Sequence, residues 1–226
     1  MILVIDTATS VAVVGLGEGP AGLGGAEVAT RSWPVRHQHG ETLLPTLVAF
    51  LSERGASLAD LRGIVVGTGP GAFTGLRVGL ATAKGLAHGL GLPIVGVSTA
   101  EALIDAVRAA EGEASVTLLL LPAGPNDRVA VRPGQPPELL PGGIEPEVRP
   151  DDRLVAVDLD GRAPADAVVR GDVARDGLAG ALFRIGGARL ASGKPDDLAG
   201  LVPEYVTLPR GIRASSGEVT WSRDPR

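Results

Sequence analysis

Residues 63 to 85, GIVVGTGPGAFTGLRVGLATAKG, constrain the fold more than any other stretch of the chain. Apolar residues run into a glycine-dense turn that opens onto a helical pattern, which predicts a strand over 63–67, a tight loop, and a helix over 74–90. Gly67, Gly69 and Gly71 permit positive φ or close backbone approach, Pro70 stiffens the turn, and Thr74 is the expected N-cap. A loop of this kind at a helix N-terminus suits a phosphate. Two forms of that reading fail. The stretch lacks the Gly-Lys-Ser/Thr ending of a P-loop, and no acid follows the next strand, Pro93 to Val97, where a dinucleotide site holds its ribose.

The helix itself is more specific. Leu76, Leu80, Ala83, Ala87 and Leu90 form an apolar stripe, while Gly75, Gly79 and Ala83 recur every fourth residue and allow a second helix to approach closely. A helical glycine costs roughly 1 kcal/mol against alanine, so Gly75, Gly79, Gly85 and Gly89 together demand that this helix be packed. Two partners fit: the chain's own sheet, or a helix of another chain. On the second reading, Gly79→Leu blocks helix approach with little unfolding.

Around this unit, Ile2–Ile5, Val11–Leu16 and Glu27–Val35 read as strands joined by short turns, hence antiparallel neighbours. Residues 41–54 carry Leu44, Leu47, Val48 and Leu51 at helical spacing, with Pro45 in the first turn. Strand 63–67, helix 74–90, strand 93–97 and helix 98–110 complete the order βββαβαβα. From about residue 111 the pattern thins. Val116–Leu121 and Arg128–Val131 read as strands, and 133–151 as a Pro/Gly-rich loop or poorly ordered connection. Val155–Leu159 and Ala167–Val169 are expected strands, Asp172–Ile185 a helix and Pro195–Leu201 a short helix. No internal repeat is visible. The division implied is 1–110 and 111–226, the second part smaller, with a C-terminal tail free to pack back on the first.

Charge and composition narrow the function. A net charge of −5 and an aromatic share of 3% disfavour stacking platforms for single-stranded nucleic acid. Arg77, Lys84 and His88 form only a narrow basic strip on one helix, read as solvated surface or as ion pairs with a partner's acids. The absence of cysteine excludes disulfides, thiolate metal sites and cysteine nucleophiles. The start, MILVIDTATS, lacks the basic and long apolar parts of a signal peptide, and no stretch reaches the ~20 apolar residues of a membrane helix. A soluble, cytoplasmic protein is expected.

Candidate chemistry begins with Asp6, Thr7 and Thr9 at the end of the first strand. A carboxylate with hydroxyl neighbours at a strand turn suits a magnesium-bound phosphate; the same residues equally suit a β-turn satisfying itself. His37 and His39 stand two apart before Glu41, and His88 is the third histidine, too few for a convincing metal centre. No Gly-x-Ser-x-Gly elbow is present.

The combination of MILVIDTATS, HQHGETLLPTL, the block GTGPGAFTGLRVGLATAKGLAHGLGLPIVGVSTAEAL and a late Pro203-x-Tyr205 resembles the TsaB/YeaZ family, densely over residues 1–103 and sparsely beyond. The resemblance implies an actin-like ATPase (sugar kinase/Hsp70) superfold with two ribonuclease H-like lobes, the second degenerate. It also implies a subunit without catalysis of its own in threonylcarbamoyladenosine modification of tRNA. In that family a separate synthase makes threonylcarbamoyl-adenylate, the paralogue TsaD transfers the group to the adenosine beside the anticodon, and the small ATPase TsaE resets the pair. The resemblance assigns helices 41–54 and 74–90 to the TsaD interface, which puts His39, Glu41, Leu44, Leu47, Leu51, Gly75, Leu76, Gly79, Leu80 and Ala83 there. A homodimer through the same helices is an alternative use of that face. Asp6, Thr7 and Thr9 become a vestigial nucleotide site. No cofactor is firmly implied, with ATP or ADP expected only within the complex and tRNA only through it.

Several departures bear on this. TsaD-type enzymes carry a His-x-x-x-His pair, whereas the fourth residue after His39 here is Leu43. The usual Asp-Ala-Arg-like segment reads Leu121 to Arg128 here. The arginine expected two residues after Tyr205 is Thr207, with Arg210 nearby, and Gly186-Gly187 stands alone where an adenosine loop would lie. A same-fold enzyme, a small-molecule kinase or a metallopeptidase-like hydrolase, is the alternative function. It lacks its catalytic carboxylate, adenosine loop or histidine pair.

Overall fold

Strands buried on both faces build the two sheets of this chain. The computed structural model describes residues 1–18, 28–35, 39–112 and 116–206. The first sheet contains β1 (Ile2–Asp6), β2 (Val11–Gly17), β3 (Val28–Pro34), β4 (Gly63–Gly67) and β5 (Ile94–Val97), in the order β3-β2-β1-β4-β5. β1 pairs antiparallel with β2 and parallel with β4, so that Val4 lies opposite both Gly15 and Val65. Leu3 and Ile5 point to one face, where α1 (His39–Glu53) and α2 (Phe73–Leu90) cover them with Leu43, Leu47, Phe50, Leu80 and Ala83. Val4, Val65 and Val95 point to the other, against α5 (Leu178–Ala191), which α3 (Thr99–Glu111) meets in turn.

The second sheet, β6 (Val116–Pro122), β7 (Arg128–Val131), β8 (Glu138–Leu140) and β9 (Asp152–Ala156), runs β8-β7-β6-β9. Its first three strands are an antiparallel meander and β9 lies parallel beside β6, the arrangement that β1, β2, β3 and β4 already show. This structural repeat has no counterpart in the sequence. Leu119 and Leu121 join the core shared with the first sheet, while Leu118 and Leu120 pack under α4 (Ala165–Asp176).

Several expectations are corrected. Ala167–Val169 is not a strand but the start of α4, because Ala167 and Gly171 bury a helical face against the end of β9 at Ala156. The helix expected over 172–185 is two helices, broken at Gly177, where the chain turns to send α5 across the first sheet. The strand expected at 155–159 lies at 152–156, and 195–201 is a turn rather than a helix. α1 begins early enough to put Pro45 in its second turn, which deprives the Glu41 carbonyl of its helical donor.

Segment 133–151 is built rather than loose. It contains β8, and two arginines hold it from below. Arg128, its side chain 8% exposed, donates to the Ile144 carbonyl at 2.7 Å and to Glu145 at 2.9 Å, and Arg132 reaches both Asp152 and the Glu147 carbonyl.

Residues 194–206 return to the first sheet as a strap. β5 is an edge strand. The outward groups of Ile94 and Gly96 are met by the Asp196 amide (2.8 Å), the Asp196 carboxylate (2.8 Å) and the Arg189 guanidinium (2.7 Å). Further along, the Glu204 amide donates to the Thr68 carbonyl at 2.7 Å and the Thr68 hydroxyl to the Glu204 carboxylate at 2.6 Å.

Candidate functional site

The glycine-dense loop meets the end of β1 because β1 and β4 are parallel neighbours whose carboxyl ends coincide. Asp6 is fully buried there. Its Oδ1 accepts the Ala8 amide at 2.8 Å and its Oδ2 the Thr99 hydroxyl at 2.7 Å, and Thr99 Oγ1 in turn accepts the Gly69 amide at 3.1 Å. Burial pushes the carboxyl from its ordinary 3.8 up to about 6, against the opposing pull of the Thr99 and Ala8 hydrogen bonds. The loop crowds this group closely. A Cβ at Gly67 would collide with the Asp6 carboxylate, and one at Gly71 with the Ala8 carbonyl, so close approach is what these positions require.

Thr7 and Thr9 are also buried. Their hydroxyls donate to the Gly75 carbonyl at 2.7 Å and the Val11 carbonyl at 2.8 Å. The structure therefore brings Asp6, Thr7 and Thr9 to the phosphate-type loop, yet turns them onto the chain's own groups. Thr74 is not the N-cap; α2 starts one residue earlier, behind Ala72, with no side-chain cap. Thr99, which holds Asp6, carries no recognisable signal, since its partner is 93 residues away in sequence.

The residues expected at a partner interface divide by burial. Leu47, Leu51, Leu76, Leu80 and Ala83 lie in this chain's own core, and Gly75 and Gly79 are buried with them. Gly79 faces Thr7, whose Oγ1 a Cβ would strike, so its glycine is explained inside the chain and Gly79→Leu is expected to unfold it. Glu41 and Leu44 are exposed, and Leu44 (46%) continues one turn on to Val48 (48%). On the neighbouring helix Gly85 and Gly89 are exposed, with no atom of the described residues within 4 Å of an added Cβ. His37 and the His39 side chain lie outside the described residues, as do Thr207 and Arg210.

The basic strip is partly engaged. Arg77 lies 3.8 Å over the Phe73 ring and donates to the Tyr205 hydroxyl at 3.0 Å, and Lys84 donates to the Leu201 carbonyl at 3.0 Å. Within this chain, Arg77 and Lys84 therefore reach the strap at Tyr205 and Leu201. Gly186 packs against Val65, a helix–strand contact and not an adenosine loop. Among the described residues no cluster of three or more His, Cys, Asp or Glu side chains is placed to hold a metal, and no helix is long and apolar enough to cross a membrane.

Two sheets of the same strand order, the second without a fifth strand among the described residues, give the chain an actin-like fold of two ribonuclease H-like halves. Within it the chain is similar to TsaB/YeaZ proteins in both sequence and fold. The family model of TsaD, tRNA N6-adenosine threonylcarbamoyltransferase, matches residues 34–136. Escherichia coli TsaB, a tRNA threonylcarbamoyladenosine biosynthesis protein, is 40% identical over 98 residues, 43% of this chain and 40% of that protein. An uncharacterized Mycobacterium tuberculosis protein is 46% identical over 65 residues, 29% of this chain and 31% of that one. The matched stretches thus span well under half of these relatives. The structure of YeaZ from Pseudomonas aeruginosa superposes with a TM-score of 0.68 at 23% identity, covering 91% of this chain and 99% of that chain.

Proposed function

We propose that the chain is a non-catalytic scaffold in threonylcarbamoyladenosine modification of tRNA, binding a TsaD-type transferase through the outer face of α1 and α2. The observation that carries this reading is the pair Gly85 and Gly89. Each costs about 1 kcal/mol against alanine on an exposed helix, and no described residue occupies the space they leave. Close approach of a partner's helix accounts for them, with Leu44 and Val48 as apolar anchors alongside. The internal hydrogen bonds of Asp6, Thr7 and Thr9 fit a subunit that has given up the chemistry of its fold. TsaE would act on the resulting pair in the cytoplasm, and ATP or tRNA would be met only there.

Co-purification with TsaD, with Gly85→Leu as the comparison, tests the reading. A one-to-one complex lost on substitution, at unchanged melting temperature, is expected. An isolated chain that ignores TsaD and steadily turns over ATP or peptide would establish the same-fold enzyme instead, and a self-associated chain indifferent to TsaD would assign the face to a homodimer.

A further inference from the structure

A cavity of about 560 Å³ lies between α3 and the β7–β8 turn, within the range of small-molecule sites, about 300–1,000 Å³. It shares no residue with Asp6, Thr7 or Thr9. Ile104, Val131 and Ile185 give it an apolar wall, and Arg108 stands at one end. The Nε of Arg108 is buried and has no hydrogen-bond partner, the one such side-chain atom among the described residues. The other charges at the cavity are satisfied elsewhere or distant. Asp105 pairs with Arg184, Arg132 with Asp152, and Glu204 takes the Thr68 hydroxyl. Glu101 is seven residues from Arg108 on the same face of α3, about 10 Å along the axis.

We propose that this cavity binds a small organic carboxylate, its charged end on the Arg108 guanidinium and its carbon body against Ile104, Val131 and Ile185. A guanidinium presents paired N–H donors that match a carboxylate, and a buried donor without an acceptor is the polar vacancy such a ligand fills. One unpaired cation matches one negative charge. A phosphate dianion would bring a second negative charge that the single Arg108 cation does not match, which selects against it.

The test follows the Arg108 Nε–H resonance and the amides of Val131, Arg132, Gly134 and Gln135 by NMR on the full chain, with N-acetyl-leucine, its neutral amide and AMP as probes. Saturable shifts with N-acetyl-leucine at concentrations up to about 10 mM are expected. Binding should weaken at least about tenfold for the neutral amide and be lost in Arg108→Gln. Absence of saturable shifts, equal binding of the amide, or preference for AMP would overturn the proposal. The comparison of acid with amide uses the unmodified protein, so it decides the matter even where Arg108→Gln misfolds.

Discussion

Asp6 shows how one side chain couples the loop to acidity. Its carboxyl titrates near 6 in the folded chain against 3.8 ordinarily, so between those values the folded state binds the extra proton. Stability from this group is therefore greatest at the acid end, falls as pH rises from about 4 to about 6, and is level above, a span of about 3 kcal/mol. Denaturation of the wild type and of Asp6→Asn across that window should show the difference in slope; parallel curves would mean that Asp6 is not desolvated. At Gly79 even the smaller Gly79→Ala should lower stability by about 1–3 kcal/mol, because the new methyl meets Thr7, and urea melts measure it. Gly67 and Gly71 were legible as close-approach positions, since glycine density beside a strand end has few other uses. Thr99 was not, because a hydroxyl after a strand looks the same whether it caps a helix or holds a distant carboxylate.

Helices α1 and α2 separate inner from outer residues sharply, which makes burial and binding distinguishable. Leu47→Ala should cost about 2–5 kcal/mol, whereas the double change Leu44→Asp with Val48→Asp should leave the melting temperature nearly unchanged and abolish TsaD capture. Gly85→Ala should raise stability by about 1 kcal/mol while weakening the complex, a pairing that calorimetry and pull-down read together. The periodicity of α1 and α2 identified the helices but not which apolar residues face out, since apolar side chains alone do not distinguish a core from an interface. In the second half, Val168-Val169 favoured a strand by local preference, and only packing under β9 makes that stretch helical. Gly177 was lost inside an alanine-rich run because a helix break there depends on what lies beneath it.

At the scale of the molecule, the first-half topology was readable from short turns between apolar strands, while the repeated strand order of the second sheet was not, β8 and β9 being short and set within or after a Pro/Gly-rich connection. Net acidity and the engagement of Arg77 and Lys84 by the strap leave few free cations for phosphate. The isolated chain should accordingly not shift tRNA at physiological salt, whereas submicromolar, salt-sensitive binding lost in Arg77→Glu/Lys84→Glu would make it an RNA-binding subunit. Placement of α5 has a consequence for biogenesis. The helix that covers Val4, Val65 and Val95 is encoded after the whole second sheet. On the ribosome the first five strands therefore emerge with one apolar face bare, and they wait for the last third of the chain to be translated. A fragment of residues 1–110 made alone should aggregate and bind hydrophobic dyes, and co-expression of 111–226 should restore it, so that this protein matures from its end backwards.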